Sequence, residues 1–271
     1  MEPRRRALEI LCLTDPLATA AQARALFAGL DPAAIDTAAC YEEPSALPGR
    51  PALPRLVPAK EVPSRTPFTL EGRTALLHAV THIEFNAIHL ALDAVWRFDG
   101  MPLAYYRDWL CVASEEALHF TLLREHLLTL GCDYGRFDAH DGLWAMTQRT
   151  AHDITARMAL VPRTLEARGL DATPPMQAKL RKAGDLRAVE ILDVILRDEV
   201  GHVAIGNHWY RWLCARDGHD PVALYPELAL RYGAPRARPP FNLTARRAAG
   251  FAEAEIAALA QPQPQPHIET P

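Results

Sequence analysis

Residues 116–119 read Glu-Ala-Leu-His and residues 199–202 read Glu-Val-Gly-His, so the pattern Glu-x-x-His occurs twice in the chain. On an α-helix, positions i and i+3 lie about 60° apart around the axis and one turn along it, so both side chains of a motif can reach one ion. A single pair of this kind arises easily by chance. The residues around the two motifs therefore decide whether the pattern has a meaning.

Each motif has the same acidic surroundings. Glu84 lies 32 positions before the first motif, and Glu166 lies 33 positions before the second. Another acid directly precedes each motif, Glu115 in the first case and Asp198 in the second. Metal-bound imidazoles commonly donate their other ring N–H to a carboxylate. The chain thus reads as one half-site repeated, and we expect Asp198 to hydrogen-bond to His119 and Glu115 to His202.

Apolar residues at spacings of three and four predict four long helices in the middle of the chain, where almost no β-strand signal occurs. The predicted helices cover about 69–98, 102–130, 141–168 and 185–216. Gly100, Gly131 and Gly169 supply the stops, and Pro162 is expected to kink the third helix. Helices of this length suit an all-α bundle.

The segments on either side of the predicted bundle have a different composition. Residues 1–67 are predicted to form an arm with a short helix near 18–30, followed by a proline-rich stretch without regular structure. Residues 68–217 are predicted to form the bundle. Residues 218–271 are predicted to be an extension whose Gln-Pro repeat, 261–266, is disordered.

Facing helices of a bundle can bring carboxylates and imidazoles to a common point. Two divalent ions a few ångströms apart repel unless several carboxylates neutralise them, and histidine nitrogens suit iron. We therefore predict two bound iron ions, with a manganese–iron pair as the alternative. The predicted ligands are Glu84, Glu116, His119, Glu166, Glu199 and His202. Asp153, on the same predicted helix as Glu166, is the alternative third-helix ligand.

Four stretches resemble a bacterial family of unknown function within the ferritin-like superfamily. They read Val-Thr-His-Ile-Glu at 80–84, Leu-Glu-Ala-Arg-Gly-Leu-Asp at 165–171, Arg-Asp-Glu-Val-Gly-His-Val at 197–203 and Pro-Phe-Asn at 240–242. The resemblance covers most of the chain and implies a ferritin-like four-helix bundle with a metal centre, but no settled substrate. Rubrerythrin-type proteins and a tRNA hydroxylase family are more distantly similar.

Both half-sites keep a histidine, which favours a permanently held cofactor over a ferroxidase site that must release its iron. The leading hypothesis is an oxidase or monooxygenase that uses O2 on a small organic substrate, with an unidentified electron donor. Trp109 and Phe120 are the candidate pocket residues. The alternatives are a ferroxidase or iron-storage protein and a tRNA-modifying hydroxylase. A monomer or homodimer is expected.

Charge and cysteine content restrict the partners and the compartment. With 29 basic and 33 acidic residues, the net charge of −4 provides no general positive field for nucleic acid or an anionic membrane. The 5 cysteines form no Cys-x-x-Cys pair, so we expect reduced thiols in the core of a cytoplasmic protein. His78, His82 and His89 are expected to be hydrogen-bonded side chains and not ligands.

Overall fold

The computed structural model describes residues 2–259, and regular structure in that range is almost entirely helical. The only extended pairing found there is one parallel bridge between Leu56 and Ala139. The predicted all-α fold is confirmed. The α-helices are α1 (Pro3–Leu11), α2 (Pro16–Ala28), α3 (Leu70–Arg97), α4 (Leu103–Thr129), α5 (Gly142–Arg149), α6 (Ile154–Leu160), α7 (Ala167–Lys182), α8 (Leu186–Asp217), α9 (Pro221–Arg231), α10 (Leu243–Ala248) and α11 (Glu253–Leu259).

The described residues form two compact units that do not follow the chain order. Unit 1 contains residues 2–148 and 174–198, and unit 2 contains residues 149–173 and 199–259. The division into arm, bundle and extension that the sequence suggests stays a prediction.

Four helices contribute to the apolar core of unit 1. Helices α3 and α4 pack against each other, and the end of α7 and the start of α8 complete the cluster. The buried members are Leu77, Val80, Leu123, Leu127, Leu180, Ala188, Val189, Ile191, Leu192 and Ile195. The predicted bounds of the first, second and fourth long helices agree with α3, α4 and α8 to within one or two residues. Gly131 directly follows the C-cap of α4 with φ of 74°, as a C-terminal stop requires. Gly100, with φ of 69°, lies three residues beyond the end of α3, and its N–H donates to the carbonyl of Thr37, so it is not the C-terminal cap that the sequence predicts.

The N-terminal residues are tied to α3 by one buried arginine. Arg4 is fully buried, and its guanidinium donates to the carbonyl oxygens of Val95 and Trp96 at the end of α3, at 3.1 and 3.0 Å. It also donates to the carbonyls of Asp36 and Ala39, at 2.8 and 2.7 Å. These bonds satisfy helix-terminal carbonyls that have no partner within the helix.

The third long helix differs from the prediction. Instead of one helix over 141–168, the chain forms α5, then α6, then a π-helical segment, Val161–Glu166, and then α7. Gly169 does not end this helix, and Pro174 and Pro175 lie inside α7. The wider π turn accommodates Pro162, which lacks the N–H that an α-helical bond at this position would need.

The C-terminal part of unit 2 holds α9, α10 and α11. The Gln-Pro repeat, predicted to be disordered, lies outside the described residues. No helix in the described range combines the length and the apolar content that a membrane span needs.

The five thiols are free, as expected, but they are mostly not core residues. Cys12 and Cys40 are exposed, Cys111 and Cys132 are half-buried, and only Cys214 is buried. The prediction of core cysteines was therefore wrong for four of the five. For Cys12 and Cys40, the short N-terminal segments have no apolar periodicity that would predict which side chains are buried, and the half-buried Cys132 packs against the core of unit 1.

Buried neutral histidines of α3 should make the protein acid-sensitive. Burial, partly offset by the negative charge of Asp133, lowers the pKa of His78 to about 4. Burial, with a smaller contribution from Arg50, lowers the pKa of His89 to about 3. The ring nitrogen Nε2 of His78 accepts a 2.9 Å hydrogen bond from the Gly135 N–H, which a proton on that atom would break.

Because both pKa values are lowered on folding, the unfolded chain takes up protons first as the pH falls. The stability contributed by these two histidines should be complete above about pH 6.5 and should fall towards pH 4, with a slope of about 1.4 kcal/mol per pH unit for each histidine. Urea unfolding at several pH values measures this slope. His78→Gln should lower this slope by about 1.4 kcal/mol per pH unit, because one histidine fewer takes up a proton on unfolding. An unchanged free energy of unfolding between pH 7 and 4.5 would contradict the account.

Candidate metal site

The first Glu-x-x-His motif lies in the middle of α4 with its polar side chains buried. Glu116 and His119 are both fully inaccessible, and Trp109 and Phe120 on neighbouring positions are buried as well. Glu84, from the middle of α3, is also buried, at 4% exposure. Buried carboxylates are costly unless a cation or hydrogen-bond donors compensate them. The helix–helix interface of unit 1 therefore contains two carboxylates that require a positive partner.

One ring nitrogen of His119 faces both carboxylates. Its Nδ1 atom lies 3.3 Å from Oε2 of Glu84 and 3.2 Å from Oε2 of Glu116. Potential ligand atoms of the three residues all lie within 4.8 Å of one another. Donors bound to one ion at about 2.1 Å, with angles near 90–110°, are about 3.0–3.4 Å apart. The observed spacings fit a site for one ion with one nitrogen and two carboxylate ligands.

The other ring nitrogen of His119 contacts an acid of α8. Nε2 lies 3.0 Å from Oδ2 of Asp198, the predicted hydrogen bond. Arg197 donates to both oxygens of Asp198, at 2.8 and 3.2 Å, and so fixes the carboxylate. An acceptor at Nε2 keeps the proton on that nitrogen and leaves the Nδ1 lone pair for a metal.

The electrostatics of this group favour a positive charge at its centre. Burial by itself would lower the pKa of His119, but hydrogen bonds with Asp198, Glu116 and Glu84 outweigh it and hold the pKa well above its ordinary value. Burial would raise the pKa of Asp198, but His119 and Arg197 lower it to about 2. A proton on His119 and a metal ion at Nδ1 thus compete for the same place.

The second Glu-x-x-His motif lies in the part of α8 that belongs to unit 2. Glu199 is 7% exposed and His202 is fully buried. Nδ1 of His202 lies 3.9 Å from Oε1 of Glu199, so this pair repeats the nitrogen and carboxylate donors of the first motif at a slightly longer distance.

The Glu199 carboxylate lies close to Gly169 of α7. A Cβ atom at Gly169 would lie 4.0 Å from the carboxylate carbon of Glu199. Glu166, half-buried at the end of the π-helical segment, is one turn before Gly169. Asp153 is committed elsewhere, because it caps α6 through the Ala156 N–H at 2.8 Å and accepts from the Tyr232 hydroxyl at 3.0 Å. Glu166 as the ligand from this part of the chain, with Asp153 as the alternative, stays a prediction.

Trp109 and Phe120, the predicted pocket residues, pack against other aromatic side chains. Phe120 packs against Phe85 and Tyr134, with ring centroids 5.3 Å away in each case. Trp109 packs against Tyr105 at 6.3 Å. The role of Trp109 and Phe120 in a substrate pocket stays a prediction, as does the pairing of Glu115 with His202.

Comparison with known proteins identifies a family. A family model described as "Protein of unknown function (DUF455)" matches residues 12–257. The chain belongs to this family. An uncharacterized protein of Haemophilus influenzae is 54% identical to this DUF455 chain over 213 residues, which cover 76% of this chain and 74% of the relative. No solved structure matches the chain. The function of this DUF455 protein must therefore be argued from its site.

Sequence reasoning missed the contact of Glu199 with Gly169 and the burial of Arg163 in the π-helical segment. The sequence predicts a helix stop at Gly169, although its place one turn after Glu166 also allows a close approach. Arg163, one residue after Pro162, is 96% inaccessible, and nothing in the local sequence distinguishes it from a surface arginine.

Removing the partner of His119 should weaken metal binding in this DUF455 protein. Asp198→Ala is expected to lower the affinity for Fe(II) by about 10- to 100-fold, because the imidazole loses its orientation and part of its basicity. Competition with a fluorescent chelator measures the affinity. Asp198→Asn should recover part of it, since its carbonyl can still accept from Nε2–H. Glu190→Gln, at an exposed position of the same helix, is the matched control. Wild-type affinity in Asp198→Ala would contradict the assigned role.

Proposed function

We propose that this chain is a non-haem di-iron protein that uses O2 to oxidise a small organic molecule. Glu84, Glu116 and His119 would hold one iron, and Glu166, Glu199 and His202 would hold the other. The observation that carries the proposal is the pair of opposite contacts of His119, whose Nδ1 faces two buried carboxylates while Nε2 is hydrogen-bonded to Asp198. This is the arrangement of an oriented metal-ligating histidine.

The donor set supports iron over harder or softer ions. Imidazole together with carboxylate suits iron and manganese, whereas calcium and magnesium sites are built from oxygen donors and soft metals prefer thiolates. Iron is our first choice, and a manganese–iron pair is the alternative. The resemblance of the Glu and His pattern to that of ferritin-like di-iron proteins is likewise part of the proposal.

Two ferrous ions, when bound, would deliver two electrons to O2, and an external donor would have to restore them for a second turnover. The surrounding residues have two tasks that do not involve the metal. The buried side chains of α3 and α4 exclude bulk water from the site, which strengthens every electrostatic interaction within it. Asp198 holds the proton of His119 on Nε2.

A retained cofactor is favoured over an iron store because both motifs keep their histidine. A storage protein must pass its iron onwards, and tight nitrogen ligation at both positions opposes release. A tRNA substrate is disfavoured by the net charge of −4, because RNA binding depends strongly on a positive surface. A small substrate, a cytoplasmic location and a monomer or homodimer belong to the same proposal.

Anaerobic loading with Fe(II) followed by exposure to O2 tests the proposal. We expect about two Fe(II) per chain to be oxidised, with both ferric ions retained after gel filtration and no further oxidation without a reductant. Iron measurements on the protein fraction and an oxygen electrode give both numbers. Continued oxidation of added Fe(II), with ferric ions accumulating in a large assembly, would establish the storage function instead.

A further inference from the structure

Unit 2 contains a cavity that takes no part in the metal proposal. Its volume is about 70 Å³. One water molecule needs about 10–15 Å³ by the same measure, so the cavity admits a small organic molecule but not a nucleotide. The π-helical segment, α9, α10 and α11 supply its walls, among them Arg163, Val222, Tyr225, Arg246, Phe251 and Glu255.

The first polar group of the cavity is Arg163, which is 4% exposed. Its Nε donates to Oδ1 of Asn207 at 2.9 Å, and its Nη2 pairs with Glu255. Its guanidinium carbon lies 4.5 Å from the ring centroid of Tyr225 and 5.1 Å from that of Phe251. These contacts fix the guanidinium plane. Within residues 2–259, its Nη1 group has no hydrogen-bond acceptor.

The second polar group is Arg246, which is 2% exposed. Its Nε and Nη2 donate to the two carboxylate oxygens of Asp171, at 3.1 and 2.6 Å. The Phe251 ring that contacts Arg163 also lies 5.2 Å from the guanidinium carbon of Arg246. The Nη1 group of Arg246 likewise lacks an acceptor in the described part of the chain. The cavity is thus bordered by two oriented guanidinium groups, each with one donor group to spare.

The ion pairs around the cavity leave an excess of positive charge. Arg163 and Arg211 both pair with Glu255, and Arg246 pairs with Asp171. Three arginines therefore share two carboxylates. Arg211 is 37% exposed, so water carries part of its charge, and one bound anion with a single negative charge would balance the remainder of the group.

We propose that this cavity binds a small carboxylate with a short apolar chain. The spare Nη1 groups of Arg163 and Arg246 can each donate an N–H to an oxygen of a carboxylate, in charge-assisted hydrogen bonds. The side chains of Val222, Pro226 and Leu259 provide apolar wall for the remainder of the ligand. A phosphate has the charge but no apolar part, and would leave these walls without a partner. The inference does not depend on the proposed iron chemistry.

Calorimetric titration of the metal-free full-length protein with butyrate and with butyramide tests the proposal. Butyrate should bind once per chain, and butyramide should bind at least about 10-fold more weakly, because it lacks the charge that the arginines recognise. Val222→Trp should block the cavity from its rim and weaken butyrate binding by about 10-fold or more. Leu230→Trp, at a 72% exposed position of the same helix that does not line the cavity, is the matched control and should bind as the wild type does.

Three results would overturn the proposal. They are equal affinity for butyrate and butyramide, unchanged butyrate binding in Val222→Trp, and no saturable butyrate binding at all. Tighter binding of inorganic phosphate than of butyrate would overturn the choice of a carboxylate.

Discussion

Glu116→Gln is expected to lower the bound iron from about two ions per chain to about one or fewer. The substitution keeps the shape of a fully buried side chain but removes a carboxylate that lies 3.2 Å from Nδ1 of His119. A neutral amide is a poor ligand for a divalent ion, and one negative charge is lost from the site. The metal-free protein should be little affected, by less than about 2 kcal/mol, because Glu84 and Asp198 remain to balance a protonated His119.

Elemental analysis after anaerobic iron loading measures this effect, and thermal unfolding of the metal-free protein checks the fold. Glu125→Gln is the matched control, since Glu125 is an exposed acid of the same helix. It should retain the wild-type iron content. Full iron content in Glu116→Gln would remove Glu116 from the ligand set.

Gly206→Val is expected to destabilise the protein by about 1–3 kcal/mol or more, because the site has no room for a side chain. A Cβ atom at Gly206 of α8 would lie 2.6 and 2.7 Å from the Cβ and Cγ atoms of Pro162. A proline ring cannot turn away as a flexible side chain can, so the π-helical segment must shift. Because Glu166 ends that segment, the second half-site should also lose iron affinity.

Gly201→Ala provides the control for Gly206→Val. Gly201 lies on the same helix, and a Cβ atom there would meet no atom within 4 Å. Since alanine favours a helix over glycine by about 1 kcal/mol, Gly201→Ala should leave stability unchanged or raise it. Urea unfolding compares the two variants. Equal free energies of unfolding for Gly206→Val and the wild type would contradict the expected clash with Pro162.

The helices of unit 1 could be predicted because their burial has a strict period. In α3 the apolar residues repeat at three and four positions. The same rule predicted α4 and α8. It failed between residues 141 and 182, where Pro162, Pro174 and Pro175 lie inside helical segments. Proline normally ends a helix, and only the tertiary packing of this region decides that the chain continues.

Part of the candidate site could likewise be predicted from the sequence, and part could not. The convergence of Glu116 and His119 follows from helical geometry alone, and the contact of Asp198 with His119 follows from its position directly before a motif. The approach of Glu199 to Gly169 does not follow from helical geometry, because it depends on how two helices pack. The carboxylate cavity could not be predicted from the sequence either, since Arg163 and Arg246 are 83 positions apart and no short motif contains them.

Anomalous diffraction at the iron edge, from crystals grown after anaerobic iron loading, tests the central claim most directly. The account predicts two peaks per chain. One should lie about 2.0–2.2 Å from Nδ1 of His119 and from carboxylate oxygens of Glu84 and Glu116, and the other at the same distances from His202 and Glu199. Absence of both peaks, or iron bound at other residues while His119 keeps its hydrogen bonds to Glu84 and Glu116, would contradict it.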